Sequence, residues 1–519
     1  MVTADARHRK PPGNAWLRLR VFRSKPCCAK QMPQLHMEGH WMAFPGLSRV
    51  EAFGVRIAPD GVVRRSAGLR EIPVFDGTGA RIATLHGVVL AGWAGAGLRV
   101  AADGVHADFP VTDEGVFVRR VLYGLHGMFV AVSEGALGRH LYPDFGGSIP
   151  LCWCEDTGAI GASADQILDD AAYASRFLKA RYDRMVASEG HGWITGTLTA
   201  HDRIRRLMPG HALDLSSLQP RRVWPLPGEL QLRMGLETAA RQAGDAIRGL
   251  VTAAAREHAS AITLTAGFDS RILMAAARDV KNEIGFATFG QPGEGLDQDM
   301  SAKMAAALGL RHNLIPMRTA PPEDELRWDR MVGHCMREVN RRIHPTLAAV
   351  PADFVLTGMY GEIGRARLYR QDIATINDRP ASAEFVLSRL TLPLDAEQVS
   401  DVAQWVEGLS WMPRSMVLDM AFNELKFGSW AMGQAPAQKA VKFSFMPFAQ
   451  AAVQSAFMET PPEVKGTEAL FTAMALHLWP EAMTFPVNRY GDWRDRLGKF
   501  AKLTRRESVV RFLRDRLAR

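Results

Sequence analysis

Ile262-Thr263-Leu264-Thr265-Ala266-Gly267-Phe268-Asp269-Ser270-Arg271 decides how this chain is read. A short apolar run leads into a turn of small residues, then Asp-Ser, then the apolar pattern Ile272-Leu273-Met274-Ala275-Ala276-Ala277. That order predicts a strand, a tight loop and a helix. Small residues let a backbone approach an anion closely, and a helix N-terminus offers free N–H groups and a positive dipole. An Asp in such a loop repels phosphate unless a divalent cation lies between them, so Asp269 points to a magnesium-bridged pyrophosphate. The loop lacks the Gly-Lys-Ser/Thr ending of a Walker A sequence. For one motif this short, an ordinary strand-to-helix turn stays open.

Two further stretches extend the reading. Gly285-Phe286-Ala287-Thr288-Phe289-Gly290 is strand-like and ends in Gly; Asp297-Gln298-Asp299, a helical stretch from Met300 to Leu308, and Gly309-Leu310-Arg311-His312 follow it. Phe354-Val355-Leu356-Thr357-Gly358-Met359-Tyr360-Gly361-Glu362-Ile363-Gly364-Arg365 is the third. Together the three resemble the asparagine synthetase superfamily of ATP pyrophosphatases. The first is similar to its Ser-Gly-Gly-x-Asp-Ser loop. The second resembles its strand, Asp and helix ending Leu-Gly-x-x-His, with Asp297 at the family's Asp. The third resembles Ser-Gly-x-Gly-x-Asp-Glu, with Glu362 where the metal-binding Asp stands.

The remainder of the chain carries the same resemblance. Gly127-Met128-Phe129-Val130-Ala131, then Gly138-Arg139-His140-Leu141-Tyr142-Pro143-Asp144-Phe145-Gly146-Gly147 and Ile149-Pro150-Leu151, look like the late part of an amidotransferase-type N-terminal domain. Ala162-Ser163 and Ile204 to Leu213 look like the passage into the synthetase domain. The resemblance implies an α/β chain with a degenerate Ntn-amidotransferase-like β-sandwich followed by a parallel-sheet domain of the adenine nucleotide alpha-hydrolase type. It implies ATP and Mg2+ as ligands. Leu264, Thr265, Gly267, Ser270, Arg271, Thr288, Phe289 and Gly358 would bind the nucleotide, and Asp269 and Glu362 the metal.

Departures from the family matter as much as the match. Glutamine-hydrolysing members use an N-terminal Cys, whereas residue 2 is Val2, and the glutamine-pocket motifs are absent. A nucleophile needs an activating base and a positioned substrate, so the N-terminal domain is expected to be non-hydrolysing. Cys152-Trp153-Cys154 alternates like a strand and reads as packing rather than metal binding. Met359 fills the slot where asparagine synthetase has Glu and beta-lactam synthetase has Tyr. Tyr360, one position on, is the candidate replacement, Glu424 the candidate base for an attacking amine, and Lys465 the candidate cation for the adenylation transition state. An exposed helical Glu remains the bland alternative for Glu424. A Trp479-Pro480-Glu481 and Pro486-Val487-Asn488 ending also fits a divergent branch of the superfamily.

Composition bounds the rest. The 519 residues leave room for about two to four domains. A 47% hydrophobic and 23% charged content is that of a globular protein. The longest apolar run, Gly87 to Leu98, falls short of the ~20 residues a bilayer span needs. Five scattered cysteines fit a reducing compartment, and a cytoplasmic location is expected. Residues 1–31 hold seven of the eight net positive charges. They read as a disordered extension within residues 1–40 rather than a nucleic-acid arm, since a basic tail carries no chemistry by itself. Residues 41–225 look strand-rich and glutaminase-like, with Pro220, Pro225 and Pro227 marking a linker. Residues 232–490 look like the synthetase domain, with strands near 261–265, 285–289 and 354–357 and a long amphipathic helix over 235–257. Residues 491–519 read as a basic amphipathic helix.

The expected activity is ATP-dependent amide formation: a carboxylate is adenylated with release of pyrophosphate, and an amine displaces AMP. The carboxylate would belong to a small molecule, a saccharide or a peptide; the amine would be ammonia or the substrate's own. A homodimer stays open; nucleic acid is not an expected partner. The alternative is a nucleotide-binding member without turnover, which Met359 favours and the retained Asp269, Ser270 and Glu362 oppose.

Overall fold

The computed structural model describes residues 50–187, 192–291 and 293–496. The expectations for residues 1–40, and for the basic helix beyond residue 496, lie outside the described residues. Strands β1 (Val55–Ile57), β2 (Val63–Arg65), β3 (Arg70–Phe75), β4 (Arg81–Val89), β5 (Leu98–Ala101), β6 (Gly104–Ala107), β7 (Gly127–Ser133), β8 (His140–Pro143), β9 (Leu151–Cys154), β10 (Ile160–Gly161), β11 (Ile204–Leu207), β12 (His211–Asp214) and β13 (Pro220–Arg222) fill the N-terminal half. They form a five-stranded sheet ordered β11-β9-β10-β1-β2 and an eight-stranded sheet ordered β13-β12-β8-β7-β4-β3-β6-β5. Both are antiparallel apart from the β3–β6 pair.

The longest pairing sets β4 against β7 from Ala83–Ser133 to Val89–Gly127. Cys152 and Cys154 are buried free thiols on β9, as their alternation suggested. Pro220 is not in the linker: it opens β13, which pairs with His211–Leu213 at a sheet edge, where a missing N–H is tolerated.

The C-terminal half alternates helix and strand. Helix α1 (Leu236–Glu257) buries Ala239, Ala243, Ile247, Leu250 and Ala254 along one stripe, the 3.6-residue period of an amphipathic helix. Then come β14 (Ser260–Thr263), α2 (Phe268–Ala276), β15 (Gly285–Phe289), α3 (Leu296–Leu308), β16 (His312–Ile315), β17 (Phe354–Leu356), β18 (Phe443–Phe445), α4 (Ala451–Glu459) and α5 (Ala469–Leu478). Helix α1 packs on α4 and α5. The five strands form one parallel sheet, ordered β16-β15-β14-β17-β18. From β14 the chain builds outward through β15 and β16, then returns to place β17 on the other flank. The strand ends of β14 and β17 therefore flank a topological switch point, where open α/β sheets bind ligands. One apolar core runs through both halves, from Val55 and Phe129 to Leu264, Phe286 and Phe471. No helix among the described residues is long and apolar enough to cross a membrane.

Candidate active site

The loop after β14 is held by its own side chains. Thr265 N–H donates to Ser270 Oγ (3.0 Å), and Ser270 Oγ donates to Thr265 O (3.2 Å). Gly267 N–H donates to Thr265 Oγ1 (3.3 Å). Leu264 N–H donates to Ala287 O on the neighbouring strand (2.8 Å). Asp297, at the start of α3, accepts from Ala266 N–H (2.9 Å), so the second motif's Asp clamps the first motif's loop. Helix α2 begins after Gly267 without a side-chain cap on its first N–H groups.

The third motif closes over that helix start. A Cβ on Gly358 would fall 2.7 Å from Asp269 Cβ and 3.0 Å from Ser270 N; one on Gly361 would fall 2.1 Å from Asp269 Oδ1. Only glycine leaves room for this approach. The turn Gly361–Arg365 then brings Glu362 and Arg365 to Asp269. Arg365 Nη2 lies 2.5 Å from Asp269 Oδ2. Burial pushes the Asp269 carboxyl well above the usual carboxylate range; Arg365 opposes that shift and the Glu362 charge adds to it.

Asp269 Oδ1 and Glu362 Oε2 are buried and lack a partner among the described residues. Unpartnered buried carboxylate oxygens are costly. A divalent cation would satisfy both, and the pair fits Mg2+, which binds one or two carboxylates and completes its octahedron with water and phosphate. Among the described residues no group of three or more His, Cys, Asp or Glu could hold a metal alone.

Other candidates are placed elsewhere or already engaged. Arg271 is fully buried and donates to Phe485 O (2.5 Å), Pro486 O (2.9 Å), Ala482 O (3.3 Å) and Ala266 O (3.4 Å). It pins the 482–486 segment beneath the loop instead of facing phosphate, and burial lowers its pKa to about 10. Asn488 N–H also donates to Ala266 O (3.0 Å), so the Pro-Val-Asn ending buttresses the loop. Thr288 Oγ1 donates to Leu264 O (2.7 Å) and lies 2.9 Å from His312 Nε2, which makes it a tie between strands. Phe289 is half-buried at the end of β15, and its carbonyl accepts from Gln298 (2.6 Å).

Tyr360 has φ +77° and is fully buried. Its hydroxyl donates to Gly146 O of the N-terminal half (2.8 Å), and its ring stacks on Phe427 at 3.9 Å. Burial holds its phenol proton well above the ordinary range. This placement makes it an anchor between the halves. Glu424 is fully buried as well, not an exposed helical residue. It accepts from Arg222 Nη1 (2.7 Å), Arg222 Nη2 (2.9 Å) and Trp405 Nε1 (2.6 Å), an internal ion pair. Lys465 Nζ lies 2.5 Å from Asp419 Oδ2, and Tyr369 Oη donates to the same carboxylate (3.1 Å). Burial raises Asp419 to about 6 against the pull of Lys465 and Tyr369.

Sequence reading missed Arg365 as the partner of Asp269, though it stands at the end of the quoted motif. It also missed Lys426. That amine lies 4.7 Å from the Phe422 ring centroid and 5.6 Å from that of Trp430, with no hydrogen bond or ion pair among the described residues. Burial lowers its pKa, while Glu362 pulls the other way. The aromatic-Lys-aromatic spacing over Phe422, Lys426 and Trp430 was the available signal.

Fold and site together define a mixed α/β protein whose C-terminal parallel sheet brings a helix N-terminus, two carboxylates and Arg365 together at its switch point. No protein-family model matches the chain, and no curated protein matches it.

Proposed function

We propose that this chain is an ATP-dependent carbon–nitrogen ligase of the asparagine synthetase type, forming an acyl-adenylate and passing the acyl group to an amine. The observation that carries this reading is the meeting of three separate sequence motifs at the strand ends of one parallel sheet, with two buried carboxylate oxygens left without partners. On this reading the parallel-sheet half is the adenine nucleotide alpha-hydrolase-like domain, and the antiparallel half is a glutaminase-like domain that has lost its hydrolytic motifs.

Asp269 and Glu362 would hold Mg2+, which when bound neutralises charge on the leaving pyrophosphate. The uncapped N–H groups of α2 would cradle phosphate oxygens, and Thr265, Gly267 and Ser270 fix the loop that aims them. Gly358 and Gly361 let the third motif lie close enough for Glu362 to share the site. The substrate carboxylate attacks the α-phosphorus in line with that pyrophosphate, and holding both ends in register is the larger part of catalysis. On this reading Lys426, whose amine feels the Glu362 charge, would be the cation for the acyl carboxylate. The amine is ammonia or the substrate's own amino group, in keeping with the missing glutamine-pocket motifs.

A nucleotide-binding member without turnover is the second reading, favoured by Met359 and by the engaged hydroxyl of Tyr360. Exchange of labelled pyrophosphate into ATP, run with a panel of carboxylates, separates the two. Ligase activity gives carboxylate-dependent exchange that Asp269→Asn abolishes. Exchange absent with every carboxylate, alongside intact ATP binding, favours the second reading.

A further inference from the structure

Arg365 sits at the end of the same short turn that carries Glu362, and its guanidinium lies against Asp269. The contact uses one carboxylate oxygen, Oδ2 at 2.5 Å, and leaves Oδ1 unpartnered. Arg365 Nε is also buried without a partner, so the guanidinium makes less than a bidentate pair. Its central carbon lies 5.1 Å from the centroid of the Phe471 ring, an aromatic shelf beside the pair. The two side chains keep 20% and 25% of their surface in solvent. Arg365 pairs with Asp269, whose carboxyl also feels the Glu362 charge.

A metal at Asp269 and Glu362 must compete with this arginine for the same carboxylate. A guanidinium released there meets the ligand it suits best, since its planar fork matches phosphate oxygens. Resting on the ligase reading of the site, we propose that Arg365 is a placeholder cation: it holds Asp269 in the nucleotide-free chain and transfers to the phosphate chain when metal and nucleotide enter. The charge on Asp269 is thereby compensated at each stage. Arg365 is then a phosphate-binding residue whose first contact is with a metal ligand. A fixed salt bridge that merely orients Asp269 is the competing role.

The two roles give opposite signs in a metal titration. Mn2+ alone is titrated into the full-length protein without nucleotide and free ion is read by electron paramagnetic resonance. Arg365→Met should bind Mn2+ about tenfold more tightly than wild type, the size of an ordinary coupling between two competing ligands. Arg365→Lys, which keeps a cation with poorer geometry, should fall between. The same Arg365→Met protein should bind Mg·ADP more weakly than wild type, because the released guanidinium is missing. Unchanged or weaker Mn2+ binding in both variants, with melting curves like wild type, would overturn the proposal in favour of fixed orientation. Asp269→Asn serves as the control. If it binds Mn2+ as wild type does, the metal site itself is misplaced and the ligase reading falls with it.

Discussion

Glu424→Gln distinguishes a base from a structural charge. Glu424 is fully buried and accepts two hydrogen bonds from Arg222, whose side chain is 13% exposed. The amide keeps the shape and can still accept from Trp405 Nε1, but it removes the negative charge opposite a nearly buried guanidinium. Breaking one side of a buried ion pair costs roughly 3–5 kcal/mol. The retained acceptor and the second bond from Arg222 Nη1 to Trp224 O (3.1 Å) place the expected loss near the lower end. Urea denaturation of wild type and variant measures it, and pyrophosphate exchange at a temperature where both are folded should agree within about twofold. Pairing Glu424→Gln with Arg222→Met should recover part of the loss, since the two residues share one interaction. An unchanged denaturation midpoint, with normal exchange and a selective loss of amide product, would refute the structural role and restore Glu424 as the amine's base.

The glycines of the third motif and one buried amine give sharper local tests. Gly361→Ala places a methyl group 2.1 Å from Asp269 Oδ1, so the carboxylate must turn away. The melting temperature should barely move while exchange falls by about 10²–10³, the usual cost of one misplaced electrostatic group in an active site. Gly358→Ala instead meets Asp269 C at 2.9 Å, which is backbone, and should destabilise the fold by about 1–3 kcal/mol in a denaturation experiment. Lys439 is fully buried, its amine bonded to Ser444 O (2.6 Å), and burial lowers its pKa from 10.5 to about 7 despite Asp144 nearby. Between those two values the unfolded chain holds the proton more tightly than the folded one, so this site adds stability as pH rises from about 7 towards 10. Denaturation midpoints across that range should therefore rise less with pH in Lys439→Met than in wild type, and equal slopes would contradict the assignment.

Periodic and local features were legible before any coordinates. The stripe of α1 fixed its limits to within one residue of Leu236–Glu257, and β14, β15 and β17 fell where apolar runs met small-residue turns. Strand β18 escaped because Phe443–Phe445 is three residues long, too short for a period, and is built only by pairing with β17. Pro220 looked like a linker residue because sequence does not reveal that an edge strand will take it. Asp269, Glu362 and Gly358 stood out because each lies inside a short motif, although Asp269 meets its partner Arg365 96 residues away. Arg271, Tyr360, Glu424 and Lys465 were not, because their partners are Phe485, Gly146, Arg222 and Asp419, remote in sequence and chosen by the packing of whole elements. Charge and residue type alone suggest chemistry at such positions. Burial and partner decide whether that charge faces a ligand or another side chain.

Calorimetric titration of ATP into the purified protein, with and without Mg2+, tests the central claim most directly. The three motifs and the unpartnered oxygens of Asp269 and Glu362 predict saturable, Mg2+-dependent binding of one ATP per chain, lost in Asp269→Asn. Absence of binding in a folded protein, or binding that ignores both Mg2+ and the Asp269→Asn change, would contradict it.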